Sequence, residues 1–193
     1  ALQEEGCHNV NLVSPTHGLP QGLEALHLAA GAGLALPVVW NTGGYDSPEA
    51  LALLDGVVDV YMPDMKYGDA ATAERLSGVP DYPAVNRAAV KEMHRQVGDL
   101  LLDEEGVAVR GLLVRHLVLP GGLAGSESVF RFLAEEVSRD TWVNVMDQYH
   151  PEFRARLHPP LERRPTPEEL AEAHALAARY GFVRPRAGRP GSR

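Results

Sequence analysis

Leu112-Leu113-Val114-Arg115-His116-Leu117-Val118-Leu119 is an apolar run broken by two adjacent polar residues and closed by Pro120-Gly121-Gly122. A strand with one wet face alternates apolar and polar residues, whereas a run this continuous belongs to a strand covered on both faces, as in parallel sheets. The same pattern recurs outward from it. N-V-N-L-V (residues 9–13) ends in Ser14-Pro15-Thr16-His17-Gly18, and residues 37–40 end in Asn41-Thr42-Gly43-Gly44. Residues 57–62 run into Pro63-Asp64-Met65-Lys66, and residues 142–146 end in Asp147-Gln148-Tyr149-His150-Pro151. Helical spacing fills the intervals: residues 23–34, 49–54 behind Ser47-Pro48, 69–76, 83–96, and 126–136 capped by Ser126. Thr166-Pro167-Glu168-Glu169 combines an N-cap, a first-turn proline and a Glu three residues after the cap, opening a last helix that Gly181 stops. Residues 100–102 and 107–109 flank Asp103-Glu104-Glu105-Gly106, the mark of a small hairpin.

Five apolar strands separated by helices predict an α/β fold with a parallel sheet. No glycine-rich phosphate loop follows a strand, so a barrel, or most of one, fits better than a nucleotide-binding doubly wound sheet. One domain is expected over residues 1–182, and the Arg-, Pro- and Gly-rich residues 183–193 read as a disordered tail. A-L-Q-E-E-G (residues 1–6) reads as the last turn of a helix with no cap before it, so the chain is expected to start inside an element.

The bulk numbers narrow the function classes. Of 193 residues 45% are hydrophobic and 23% charged, which suits a globular chain with a real core. A net charge of −8 argues against nucleic acid as partner. No apolar run nears the roughly 20 residues that span a bilayer, and no basic stretch precedes an apolar core at the start, so no membrane partner and a cytoplasmic address are expected. The single cysteine, Cys7, excludes a disulfide framework and a multi-thiolate metal site built from this chain.

Active sites of parallel α/β folds form where the C-terminal ends of strands converge. The residues at those ends are Ser14, Thr16 and His17; Asn41 and Thr42; Asp64 and Lys66; Arg115; and Asp147, Gln148 and His150. Asp64 and Lys66 share a side of an extended segment, where they either neutralise each other or hold a ligand. Arg115 inside an apolar strand needs an anion, either Asp64 or a ligand carboxylate. His116 alternates to the opposite face and is expected against the helix layer, while Asn41-Thr42-Gly43-Gly44 also suits plain turn chemistry. His8, His27, His94, His158 and His174 have no metal-ligand spacing, and no metal ligand is expected.

Five segments taken in order carry a resemblance: H-N-V-N-L-V-S-P-T-H (residues 8–17), V-V-W-N-T-G-G-Y (38–45), V-D-V-Y-M-P-D-M-K-Y-G-D (58–69), G-L-L-V-R-H-L-V-L-P-G (111–121) and N-V-M-D-Q-Y (144–149). Together they resemble the radical S-adenosylmethionine proteins related to pyruvate formate-lyase activating enzyme. The resemblance implies a partial TIM-type (β/α)6 barrel whose first strand and cluster loop are not in this chain. It implies S-adenosylmethionine and a [4Fe–4S] cluster as cofactors, with an oxidoreductase chemistry that cleaves S-adenosylmethionine to a 5′-deoxyadenosyl radical for hydrogen abstraction. An electron donor and a protein or small-molecule substrate would be the partners. By the same resemblance Asp64 would contact the ribose, Lys66 and Arg115 the methionine carboxylate, and Gln148 or His150 the nucleoside. Ser14-Pro15-Thr16 stands where the family has Gly-Gly-Glu for the methionine amino group, and it brings no carboxylate. Cys7 matches none of the three cluster cysteines, so the chain alone is expected to be inactive. Two other readings compete: a noncatalytic module binding S-adenosylmethionine or another small molecule, and a hydrolase- or lyase-type barrel with Lys66 as Schiff-base residue.

Overall fold

A computed structural model describes residues 1–182, so the expected tail lies outside the described residues. The elements follow in the order β1 (Val10–Val13), α1 (Leu19–Gly31), β2 (Val38–Thr42), α2 (Pro48–Ala52), β3 (Val60–Pro63), α3 (Ala70–Ser77), α4 (Tyr82–Val97), β4 (Leu101–Leu102), β5 (Ala108–Leu117), α5 (Ser126–Phe132), β6 (Trp142–Met146) and α6 (Pro167–Arg179). β1, β2, β3, β5 and β6 pair side by side and in parallel, in chain order. β4 pairs antiparallel with the first residues of β5. The expected mixed α/β fold with a mostly parallel sheet is therefore what forms.

Register separates the two faces of the sheet. Leu12, Trp40, Tyr61, Leu112, Val114, Val143 and Val145 turn to one face, where α1, α2, α4, α5 and α6 supply Leu19, Leu51, Val90, Met93, Phe130 and Ala177 to one core. The opposite face carries a smaller cluster of Val39, Val60 and Leu100, with Met62, Leu113 and Trp142 against it. A doubly wound sheet reverses strand order and covers both faces with helices; here the order never reverses and these helices share one face. Asn41, Asp64 and Arg115 fall on the face away from the helices, because they lie two residues apart from Val39, Met62 and Leu113.

Several local expectations shift. Residues 107–109 are not a separate strand: they run straight into β5, a ten-residue strand that pairs with β4 first and with β3 and β6 after it. Gly111 allows this, since at φ +116 a Cβ would meet the Asp99 carbonyl oxygen at 2.3 Å. The first helix begins at Leu19 rather than near residue 23, because the 3-10 turn Pro15–Gly18 feeds directly into it and Pro20 sits in the first turn, where no amide donor is needed. Ser126 is not the cap of α5; Gly125 is, in the left-handed region, and the Ser126 hydroxyl is bonded elsewhere. The helix then ends in a π turn, Leu133–Val137. The capping box of Thr166 and Glu169 forms as read from the sequence.

Candidate functional site at the strand ends

β3 ends at Pro63, and Asp64 continues its line beside Arg115 of β5 through an isolated parallel bridge. Arg115 donates Nε to Asp64 Oδ1 at 2.8 Å, and its Nη2 lies 2.7 Å from the same oxygen. Lys66 Nζ pairs with the other oxygen, Oδ2. The sequence left Arg115 a choice between Asp64 and a ligand; in the structure both cations turn to Asp64, and the trio keeps one net positive charge. The side chains are 17% (Asp64), 25% (Arg115) and 41% (Lys66) exposed, so the charges sit at the partly solvated strand ends rather than in the core. Charge-assisted bonds in such a half-desolvated place are stronger than at an open surface, and the surplus positive charge suits a carboxylate or another anion.

The backbone beneath this trio is tied to α4. Asn86, fully buried, donates Nδ2 to the carbonyls of Gly44 and Asp64, each at 2.9 Å. The Tyr82 hydroxyl meets the carbonyls of Gly43 at 2.9 Å and Asp64 at 3.1 Å, and accepts the Lys66 amide at 3.2 Å. Burial pushes the Tyr82 phenol well above its ordinary range, so it stays protonated and able to donate. Two consecutive turns of one helix thereby bolt the β2 exit to the β3 exit. Glycine at 44 is required twice over: its φ is +76, and a Cβ would lie 2.3 Å from both Asn86 Nδ2 and the Asp64 carbonyl oxygen.

On the helix side, His116 is fully buried and bonds the Met65 carbonyl through Nδ1 at 2.8 Å. A carbonyl only accepts, so Nδ1 carries the proton and Nε2 accepts from the Ser126 hydroxyl, 2.9 Å away. Burial lowers the pKa of His116, opposed by the bond to Met65, and the ring is neutral. Farther along, Gly68 donates to the Ala124 carbonyl at 2.9 Å and accepts from Arg87 and Ser128. Residues 64–68 are thus held from both sides.

A second knot lies at the exits of β1 and β2. Asp46, only 2% exposed, accepts the Thr16 hydroxyl on Oδ1 at 2.5 Å and the Thr42 hydroxyl on Oδ2 at 2.7 Å. Thr42 Oγ1 in turn accepts the Gly44 amide at 3.2 Å. Of the residues singled out from sequence, Thr16, Thr42, Asp64, Lys66 and Arg115 therefore enter two joined networks. Asn41 is buried on the same face as Asp64. Ser14 and His17 are exposed, and Ser14 contributes its backbone amide to the Asn41 carbonyl at 2.8 Å. Gln148 is exposed, and His150 lies against Arg164 instead of reaching the trio.

Asp46, Tyr82 and Asn86 were missed by the sequence reading. For Asn86 a signal existed: Tyr82, Asn86, Ala89, Val90, Met93 and Val97 form one buried helical stripe, and a lone amide in such a stripe must find partners.

Among the described residues no group of three or more His, Cys, Asp or Glu could hold a metal ion. Cys7 is half-buried just before β1, at the far end of the sheet from the strand exits. The residues of this chain therefore do not fit a [4Fe–4S] cluster, which takes three or four thiolates. No helix among the described residues is long and apolar enough to cross a membrane.

No family model matches the sequence. The chain is 38% identical over 177 residues to the uncharacterized protein MJ0674 of Methanocaldococcus jannaschii, a match that covers 90% of this chain and 47% of that protein. The chain thus spans about half the length of that curated relative. Among solved structures, a domain of pyruvate-formate lyase-activating enzyme from Bacteroides vulgatus superposes with a TM-score of 0.63, covering 90% of this chain and 94% of that domain at 12% identity. The two share a fold. At that identity the likeness extends to architecture, and what the strand ends do must be argued from their own side chains.

Proposed function

We propose that this chain is the S-adenosylmethionine-binding part of a radical S-adenosylmethionine barrel related to the glycyl-radical activating enzymes. The observation that carries the reading is the convergence of Asp64, Lys66 and Arg115 at adjacent strand ends, on the sheet face away from the helices. Sequential strand order with helices on one side supports a wall of a barrel, and the fold shared with the activating-enzyme domain supports it further.

In this reading Lys66 and Arg115 hold the methionine carboxylate, exchanging part of their bond to Asp64 for it. Asp64, an acceptor only, then turns an oxygen to a ribose hydroxyl. Tyr82 and Asn86 keep the backbone fixed while the side chains exchange partners. An iron–sulfur cluster, where a radical S-adenosylmethionine protein has one, supplies the electron for reductive cleavage; with one cysteine in the chain, that step is not assigned to these residues. A Schiff-base role for Lys66 is not favoured, since such lysines are made nucleophilic by an apolar pocket or an uncompensated neighbouring cation, and this one is 41% exposed and bonded to a carboxylate.

Titration calorimetry with S-adenosylmethionine tests the proposal. Wild type is expected to bind, and Lys66→Met and Arg115→Met each to weaken binding by roughly 10- to 100-fold, the worth of one charge-assisted bond of about 1.5–3 kcal/mol. Wild type failing to bind at millimolar ligand, or both variants binding unchanged, would overturn it.

A further inference from the structure

Two serines, Ser126 and Ser128, line a cavity of about 400 Å³ between α5 and α6, to which none of Asp64, Lys66 and Arg115 contributes. Their hydroxyls are bonded in different ways. Ser128 donates to the Gly68 carbonyl at 3.1 Å and accepts Arg87 Nη2 at 2.8 Å, so its proton faces a group that cannot take it. Ser126 donates to His116 Nε2 at 2.9 Å, and its Oγ has no other bond among the described residues. The ring is set for that bond from behind: Nδ1 gives its proton to the Met65 carbonyl at 2.8 Å, and the Phe130 ring meets it edge to face with centroids 5.1 Å apart. A histidine that only filled the core would be satisfied by any two buried partners. Here the second partner is a half-buried hydroxyl in a cavity wall, with its proton on a basic nitrogen. A hydroxyl bonded to an imidazole that a third group orients is the arrangement that activates a serine as a nucleophile.

We propose that Ser126 is a catalytic nucleophile with His116 as its general base, and that this cavity hydrolyses uncharged carboxylic esters with a short apolar acyl group, independently of the site at the strand ends. Ser126 Oγ attacks the ester carbonyl carbon as its proton passes to Nε2. The carbon–oxygen bond to the alcohol breaks, and the alcohol leaves with that proton. Water then attacks the acyl-serine, losing a proton to Nε2, and the carboxylic acid departs as Ser126 takes the proton back. The walls set the substrate class. Val118, Leu119, Ala173 and Leu176 offer the acyl group an apolar surface. The charges of the wall cancel: Glu127 is paired with Arg179, Glu169 with Arg163, and Arg131 offsets Glu172, so no surplus cation draws an anionic substrate. A carbonyl dipole rather than a carboxylate stands behind Nδ1, which stabilises the imidazolium less and makes a slow esterase the expectation.

The experiment treats the full chain with p-nitrophenyl acetate and, separately, with an alkyl fluorophosphonate whose adduct is located by peptide mass spectrometry. The fluorophosphonate is expected on Ser126 and not on Ser128, although both line the same cavity. Ser126→Ala should lower p-nitrophenyl acetate hydrolysis by on the order of 100-fold, the worth of a positioned base acting on a nucleophile. His116→Gln keeps a donor for Met65 and an acceptor for Ser126 but no base, so it should lose hydrolysis to the same degree; if that variant does not fold, the Ser126→Ala comparison and the adduct site decide alone. An adduct on Ser128, no adduct at millimolar probe, or a Ser126→Ala protein as active as wild type overturns the proposal.

Discussion

Replacing Gly44 by alanine should destabilise the chain far more than the same change at Gly56, although the two glycines have nearly the same backbone, φ +76 and +78. An L-residue in the left-handed region costs about 1–2 kcal/mol, and this is the whole expected cost at Gly56, where a Cβ meets nothing within 4 Å. At Gly44 the new methyl would stand 2.3 Å from Asn86 Nδ2, so the amide has to leave. Asp64 keeps the Tyr82 hydroxyl on its carbonyl, but the Gly44 carbonyl and the Asn86 amide itself are stranded in the core. Each unsatisfied buried group costs about 1–3 kcal/mol, which brings the total for Gly44→Ala to about 3–8 kcal/mol. Urea unfolding followed by circular dichroism at 25 °C measures both variants on one scale, with the slope checking that the same surface is exposed. If Gly44→Ala came within about 0.5 kcal/mol of Gly56→Ala, the bolt between the β2 and β3 exits would not be the constraint described here.

Three further outcomes are expected. His116 is neutral in the folded chain with a lowered pKa and takes up a proton readily when unfolded, so stability should be full above about pH 6.5 and fall as the pH drops below it, by up to about 1.4 kcal/mol per pH unit. His116→Gln should flatten that slope in urea titrations at pH 7.5, 6.5 and 5.5, and an unchanged slope would point to another group. Thr166→Ala removes the side-chain cap of α6 and should cost about 1 kcal/mol, read as a drop of roughly 2–4 °C in thermal midpoint; no drop would mean that Glu169, which also accepts Arg163 and the backbone amides of residues 121 and 166, holds the first turn without the hydroxyl. Asp64→Asn releases Lys66 and Arg115 from their shared anion, so free L-methionine should bind more tightly while S-adenosylmethionine binds roughly tenfold more weakly; parallel changes for both ligands would remove Asp64 from the ribose.

What was legible in the sequence is what depends on local order. The five strands are apolar on the face the helices cover, and β2, β3 and β5 also carry the small apolar cluster of the opposite face, while the strand ends share one side because the strands are parallel. This sufficed to bring Asp64, Lys66 and Arg115 to one place. It did not say what they would do to each other: Asp64 and Arg115 are 51 residues apart, and only the register of β3 on β5 sets an oxygen 2.8 Å from Nε. Asp46 was passed over because N-T-G-G-Y-D reads as turn chemistry, in which an aspartate is ordinary. Its burial arises from Thr16, 30 residues earlier on a neighbouring strand exit, and no spacing rule carries that information. Gln148 and His150 are not drawn to the trio in this structure: among the described residues no strand pairs beyond β6 to fix the direction of the segment after it, and His150 turns to Arg164.

The rigidity of the strand exits has an energetic consequence for any ligand. Loops that fold around a bound molecule lose conformational entropy on binding, about 1–2 kcal/mol for each residue fixed. Here Tyr82, Asn86 and His116 already fix the backbone of residues 64–66, and Asp46 already fixes Thr16 and Thr42. The ordering cost at these residues is met when the chain folds. What opposes the ligand instead is the set of bonds between Asp64 and its two cations, which a carboxylate must enter. A carboxylate alone exchanges one anion for another and gains little from Lys66 and Arg115. In the proposed reading, a molecule that also gives Asp64 a hydroxyl replaces the bonds it disturbs. On that reading, discrimination comes from the number of groups a ligand can satisfy at once, so a carboxylate alone is expected to bind more weakly than a carboxylate carried on a molecule that also reaches Asp64.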